Sequence, residues 1–104
     1  MKRRLVARRD SNHDAIANDF RELGCSVADL ENTGVEGWPD IGVGCVGVTH
    51  LVEIKNPDTA YGRAGLSKSQ SAFARDWRGG PIYVARTRDD VVALVQEWRR
   101  EARQ

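Results

Sequence analysis

The chain has 104 residues, of which 40% are hydrophobic and 30% are charged, and it contains three prolines. This composition predicts a single domain over residues 1–104 with its own hydrophobic core, and it excludes a disordered or low-complexity chain. No apolar run approaches the roughly 18 residues that a membrane-spanning helix needs, so no membrane partner is expected. The apolar segment at residues 5–7 is too short for a secretory signal.

Charge is distributed unevenly along the chain, although the net charge is +1. Residues 1–9 carry five basic side chains and no acidic one, and we interpret them as a basic N-terminal arm. Residues 10–53 hold nine acidic side chains and one basic one, whereas residues 54–88 hold seven basic and two acidic ones. An acidic block between two basic blocks suits a protein that holds a cation and a polyanion together.

Hydrophobic periodicity and turn residues predict the element order αβββαβα. Ser11 is expected to cap the first helix and Gly24 to end it. Helices are predicted at residues 11–23, from residue 67 and from residue 87 or 89, and strands at residues 25–30, 41–46, 48–54 and 82–85. Because a helix separates the last two strands, that pair is expected to be parallel, within a mixed sheet that has helices on both faces.

The predicted hairpin brings two carboxylates together. A two-residue turn at Val46 and Gly47 makes Asp40 face Glu53, and directly opposed like charges repel each other. Two opposed carboxylates at a partly buried position imply a cation, and oxygen ligands favour Mg²⁺ or Mn²⁺. The alternative is that Glu53 and Lys55 only form the solvated face of an exposed strand. The interpretation depends on register, because a slip of one residue would put Asp40 on the opposite face.

Four sequence segments share the order found in one known group of nucleases. They are residues 9–13 (RDSNH), 37–44 (GWPDIGVG), 51–55 (LVEIK) and 66–73 (LSKSQSAF). Together they resemble the PD-(D/E)XK nuclease superfamily, and more narrowly the small VRR-NUC domains of phages and bacteria. The resemblance spans about residues 8–86. It implies an α/β fold with a restriction-endonuclease-like αβββαβ core, a mixed central sheet flanked by helices, and an additional C-terminal helix.

The resemblance also implies roles for individual residues. Asp40, Glu53 and the backbone carbonyl of Ile54 would bind the metal, and Lys55 would orient or activate the attacking water. Gln70 would lie beside the active site; alternatively, it only completes the capping box with the serine three residues before it. A divalent cation fits this chemistry because it can supply a nucleophile at neutral pH and stabilise charge on the phosphate.

His13 departs from the pattern of the resembling domains, which often carry Glu or Gln at this helix position. It lies three residues before Ile16 and seven before Phe20, so it shares their sheet-facing stripe. We therefore expect it to point toward the site, as a metal ligand or a water-holding group. The alternative is a histidine at the helix start that is solvated or hydrogen-bonded locally.

Contacts to DNA are expected from basic and polar side chains on both sides of the predicted metal site. Phosphate neutralisation requires such charges without a fixed spacing. The candidates are Arg8, Arg9, Arg63, Ser67 and Lys68. The loop at residues 56–65 could fold over the substrate, and Trp38 either stacks on a base or anchors its own loop.

These features lead to an Mg²⁺- or Mn²⁺-dependent endonuclease as the predicted function. A preference for branched, Holliday-junction-like DNA is implied by the resemblance, and symmetric cutting of a junction would require a twofold homodimer. Cys25 and Cys45 lack CxxC spacing and fit a reduced protein in a bacterial or phage-infected cytoplasm. The alternatives are a flap, nicking or non-specific DNA nuclease, or a non-catalytic DNA-binding module on the same fold.

Overall fold

Four strands and four helices follow one another in the computed structural model, which describes residues 10–104. They are α1 (His13–Glu22), β1 (Ser26–Asp29), β2 (Ile41–Cys45), β3 (Val48–Ile54), α2 (Ala60–Arg63), α3 (Lys68–Asp76), β4 (Ile82–Ala85) and α4 (Arg88–Ala102). The predicted order is confirmed, with the short helix α2 added inside the predicted loop. The basic arm at residues 1–9, with Arg8 and Arg9, lies outside the described residues. Within residues 10–104, every helix is too short or too polar to cross a membrane.

The strands form one sheet in the order β1-β2-β3-β4, in which β1, β2 and β3 are antiparallel and β4 is parallel to β3. The α/β class and the mixed sheet are thus as predicted. The hairpin register is also confirmed, since Cys45 pairs with Val48 and Ile41 with Val52. Both turn residues have positive φ, 45° at Val46 and 80° at Gly47, which is the conformation that a tight two-residue hairpin turn requires.

The hydrophobic core lies between one face of the sheet and the helices α1 and α4. On this face, Ile41, Val43 and Cys45 of β2 and Val52 and Ile54 of β3 are buried. Phe20 of α1 stacks on Trp98 of α4 with ring centroids 5.8 Å apart, and Trp98 also stacks on His50 of β3 at 3.8 Å. His50 is therefore part of the packing around Trp98. Cys25 and Cys45 are buried in this core as free thiols.

The opposite face of the sheet carries Glu53 and meets α3. The turn before β2 packs tightly on this helix, because Gly37 has φ +80° and a Cβ atom there would lie 2.2 Å from the carbonyl oxygen of Ser69. Trp38 makes edge contacts with Phe73 at 5.1 Å and with Trp77 at 5.5 Å. Trp38 therefore anchors its own loop, while stacking on a base stays a prediction.

The start of α1 differs from the prediction. Ser11 does not cap the helix; Asn12 occupies the cap position and makes no side-chain cap hydrogen bond. The Ser11 hydroxyl instead accepts a hydrogen bond from the Asn56 side chain at 2.8 Å. Gly24 ends the segment with φ +90°, as predicted, and Thr87 rather than Asp89 caps α4.

Candidate active site

Asp40 and Glu53 hold each other through the backbone. Asp40 lies directly before β2, and its N–H donates to Oε1 of Glu53 at 3.1 Å. In return, the N–H of Ile54 donates to Oδ2 of Asp40 at 2.7 Å. The structure thus brings the two predicted carboxylates together across the hairpin, and the peptide of Ile54 lies against them.

Glu53 is a buried carboxyl group with an incomplete set of partners. Its exposed fraction is 1%, and its Oε2 atom is buried with no hydrogen-bond partner. Burial raises the pKa of Glu53 to about 9, and the neighbouring Asp40 carboxylate adds to the rise, while Lys55 opposes it. Such a group needs either a proton or a cation to remain buried. The oxygen-only donor set of Asp40 and Glu53 fits Mg²⁺ or Mn²⁺.

Lys55 is a buried side chain that contacts Gln70 and Tyr61. Its exposed fraction is 1%, and its ammonium group donates to Oε1 of Gln70 at 2.8 Å. The same nitrogen lies 5.0 Å from the ring centre of Tyr61, within the range of a cation–π contact. Among the described residues, no ion pair joins Lys55 to Glu53. The side chain of Lys55 is thus fixed by Gln70 and Tyr61.

Gln70 fulfils both of the roles that the sequence suggested. Its backbone N–H donates to the Ser67 hydroxyl, and its Oε1 accepts the Ser67 backbone N–H at 2.9 Å, which completes a capping box for α3. The same Oε1 accepts the Lys55 ammonium group. Gln70 thereby connects the start of α3 to the predicted catalytic lysine.

Asn12 and Asp10 form hydrogen bonds to the backbone at and after Lys55. Neither residue was assigned a role from the sequence. Asn12 donates through Nδ2 to the carbonyl oxygens of Lys55 and Arg86, at 3.2 and 3.1 Å. Asn56 donates through its backbone N–H to the Asp10 carboxylate. These contacts join the beginning of α1 to the ends of β3 and β4. The only feature of the sequence that pointed to these residues is that they are polar and adjacent to residues predicted for the site.

A cleft of about 270 Å³ opens at the site. Its walls include Glu31, Glu36, Asp40, Tyr61, Ser67 and Gln70. Of the predicted DNA contacts, Ser67 lies in the wall, and Lys68 is exposed at the first position of α3. Arg63 is exposed at the end of α2, where it donates to the carbonyl oxygen of Pro57. Arg8 and Arg9 lie outside the described residues.

His13 is bonded to Asp29. It is buried in the α1 stripe with Ile16, as predicted, but its Nε2 bonds to Oδ1 of Asp29 at 2.8 Å. Because Asp29 pairs with Ile41 in the sheet, its side chain leaves the sheet on the α1 side, opposite to Glu53. The helical stripe gave the correct face of α1, and the role of His13 as a metal ligand or water-holding group at the site stays a prediction.

Comparison of the chain with protein-family models, curated proteins and solved structures gave no match. The chemistry of the site is therefore inferred from its own residues.

Proposed function

We propose that this protein is an Mg²⁺- or Mn²⁺-dependent endonuclease that hydrolyses phosphodiester bonds in DNA. The observation that carries this proposal is the pairing of Asp40 with a fully buried Glu53 whose Oε2 atom has no partner. A purely structural hairpin gains nothing from opposed carboxylates at this depth, since they repel each other and lose their hydration. A bound Mg²⁺ or Mn²⁺ would supply a water nucleophile at neutral pH and offset charge on the phosphate.

The carboxylates and the residues around them would each have a separate role in the reaction. Asp40 and Glu53 would hold the cation, with the carbonyl group of Ile54 as a further oxygen donor. Lys55 would place its charge beside the attacking oxygen, where charge develops in the transition state. Its hydrogen bond to Gln70 supports this role, because that bond fixes the ammonium position.

The proposed substrate is branched DNA, cut by a homodimer that offers two sites to a junction. Ser67 and Lys68 would contact phosphates from the first turn of α3, with Arg63 and the basic arm residues Arg8 and Arg9 as further contacts. We place this activity in the cytoplasm of a bacterium or of a phage-infected host, in keeping with the free buried thiols.

The test is cleavage of a labelled four-way junction, a flap, a nicked duplex, a linear duplex and a single strand. Each substrate is incubated with Mg²⁺, with Mn²⁺ or with EDTA. We expect metal-dependent cleavage that is fastest on the junction and is abolished by Glu53→Gln. The matched control is Glu22→Gln, an exposed carboxylate at the far end of α1, which should cleave like the unchanged protein.

Other outcomes would revise the proposal. Preferential cleavage of the flap or the nicked duplex would identify that DNA, rather than the junction, as the substrate. Equal cleavage of all substrates would indicate a non-specific nuclease. DNA binding without cleavage under any metal would indicate a binding module on this fold and would refute the enzyme.

A further inference from the structure

A second group of ligating side chains lies where the end of β1 meets the start of α1. It consists of His13 at the start of α1, Asp29 at the end of β1 and Glu31 two residues further on. Each residue offers one nitrogen or oxygen ligand atom, and these atoms all lie within 4.8 Å of one another. Three separate positions of the chain thus converge on one point, which we call the His13 cluster.

The burial of His13 is the feature that a structural role explains poorly. Its exposed fraction is 2%, in a stripe of α1 that otherwise buries Ile16, Ala17 and Phe20. A buried polar ring at an apolar position carries a desolvation penalty that an aliphatic side chain would avoid. Among residues 10–104, the hydrogen bond of its Nε2 goes to Asp29, whose side chain is 53% exposed. The His13 ring is therefore buried, while the Asp29 carboxylate that it bonds to is exposed to solvent.

The His13 cluster borders the cleft of the candidate active site. The N–H of Leu30, between the two acidic residues of the cluster, donates to the carbonyl oxygen of Asp40 at 2.9 Å. Glu31 lines the same cleft as Asp40. A cation in the cluster would thus lie beside the substrate cleft, on ligands other than Asp40 and Glu53.

We propose that His13, Asp29 and Glu31 form a second divalent-cation site that takes a transition metal such as Zn²⁺ in preference to Mg²⁺. An imidazole nitrogen is a good ligand for Zn²⁺, whereas Mg²⁺ prefers oxygen ligands and retains its water. Three protein ligands leave coordination positions open to water or to a phosphate oxygen. This site goes beyond the proposed function, and its existence does not depend on nuclease activity.

The two histidines of the chain allow a direct test by NMR. The imidazole resonances of the full-length protein are followed during titration with ZnCl₂ and, separately, with MgCl₂. His50 serves as the internal reference, because it is stacked on Trp98 in the core. We expect the His13 resonances to shift with Zn²⁺ and not with Mg²⁺, while those of His50 stay in place. No response of His13 to Zn²⁺ would show that it is only hydrogen-bonded to Asp29 and would overturn the proposal.

Variants identify the ligands without disturbing the buried histidine. Asp29→Asn and Glu31→Gln keep the side-chain shape, and each should weaken Zn²⁺ binding at least about tenfold in calorimetry. Glu22→Gln is the matched control and should bind like the unchanged protein. The double variant Asp40→Asn with Glu53→Gln should retain the Zn²⁺ response of His13.

Two results of the variant series would contradict the second site. Unchanged Zn²⁺ affinity in both Asp29→Asn and Glu31→Gln would remove the proposed ligands. Loss of the His13 response in the Asp40→Asn, Glu53→Gln double variant would assign His13 to the first site. Because the readout is metal binding, a failure here leaves the cleavage test of the proposed function unaffected.

Discussion

The ammonium group of Lys55 donates to Oε1 of Gln70 at 2.8 Å. The same oxygen also accepts the backbone N–H of Ser67, the N-cap residue of α3. One side-chain oxygen therefore fixes a buried cation and a helix end together. A hydrogen bond to a charged group contributes more to stability than a neutral one, and leaving the charge buried without it is costly. Changes at Gln70 should for this reason affect both the fold and the site.

Replacement of Gln70 by alanine should lower the free energy of unfolding by about 2 kcal/mol, since a buried ammonium group loses its acceptor. Ser67→Ala is the matched control: it removes the cap hydroxyl but leaves the Lys55 acceptor, and it should cost about 1 kcal/mol. Urea unfolding followed by circular dichroism measures both values. Equal losses in the two variants would mean that Lys55 does not depend on Gln70.

The buried Glu53 should make the stability of the metal-free protein depend on pH. The pKa of Glu53 rises from 4.5 to about 9 on folding. Between these values the folded chain retains a proton that the unfolded chain has released, so the free energy of unfolding should fall as the pH rises. Glu53→Gln removes this titration, so the stability of the variant relative to the unchanged protein should increase from about pH 5 toward about pH 9.

Urea titrations of both proteins at several pH values, in the presence of EDTA, check this expectation. Glu101→Gln, at an exposed position of α4, serves as the control for a general effect of losing one negative charge. A stability difference between Glu53→Gln and the unchanged protein that stays constant with pH would contradict a raised pKa at Glu53.

Binding of Mg²⁺ should stabilise the protein through Asp40 and Glu53. At a Mg²⁺ concentration of about 100 times the dissociation constant, the expected gain is about 2.7 kcal/mol. The gain should vanish in Asp40→Asn and in Glu53→Gln, and EDTA should reverse it. Mg²⁺ is the suitable probe because the His13 cluster is expected to disfavour it. Thermal unfolding with and without MgCl₂ measures the effect, and an equal gain in Glu53→Gln would place the cation elsewhere.

Asn12 is expected to position Lys55 rather than to contact substrate. Asn12→Ala removes the hydrogen bonds to the carbonyl oxygens of Lys55 and Arg86, and it should cost about 1–2 kcal/mol of stability. If the protein is the proposed nuclease, kcat should fall while DNA affinity stays the same. Asn18→Ala is the control, because Asn18 is exposed on the same helix and accepts only a surface hydrogen bond from Arg21. A loss confined to DNA affinity would contradict a positioning role.

The hairpin could be predicted from the sequence because a tight turn sets its register. Once Val46 and Gly47 occupy the turn, the pairing of every residue further along the two strands follows, and Asp40 must face Glu53. Gln70 was predictable for a similar reason, since its capping box is local and its helix face was visible in the periodicity.

Contacts between distant parts of the chain were not predictable. The Ser11 hydroxyl is engaged by Asn56, which is 45 positions away, and this tertiary contact replaces a local cap. His13 meets Asp29 because of how α1 crosses the end of β1, which helical spacing alone cannot specify. Helix α2 has four residues, too few to produce a periodic pattern.

The contact between Gly37 and Ser69 holds together the two elements that line the cleft. There is no space for even one additional carbon atom between the turn that leads to Asp40 and the first turn of α3, where Gln70 lies. Any side chain at position 37 would therefore have to push this turn away from α3, and it would move apart Asp40 and Gln70, which line the same cleft.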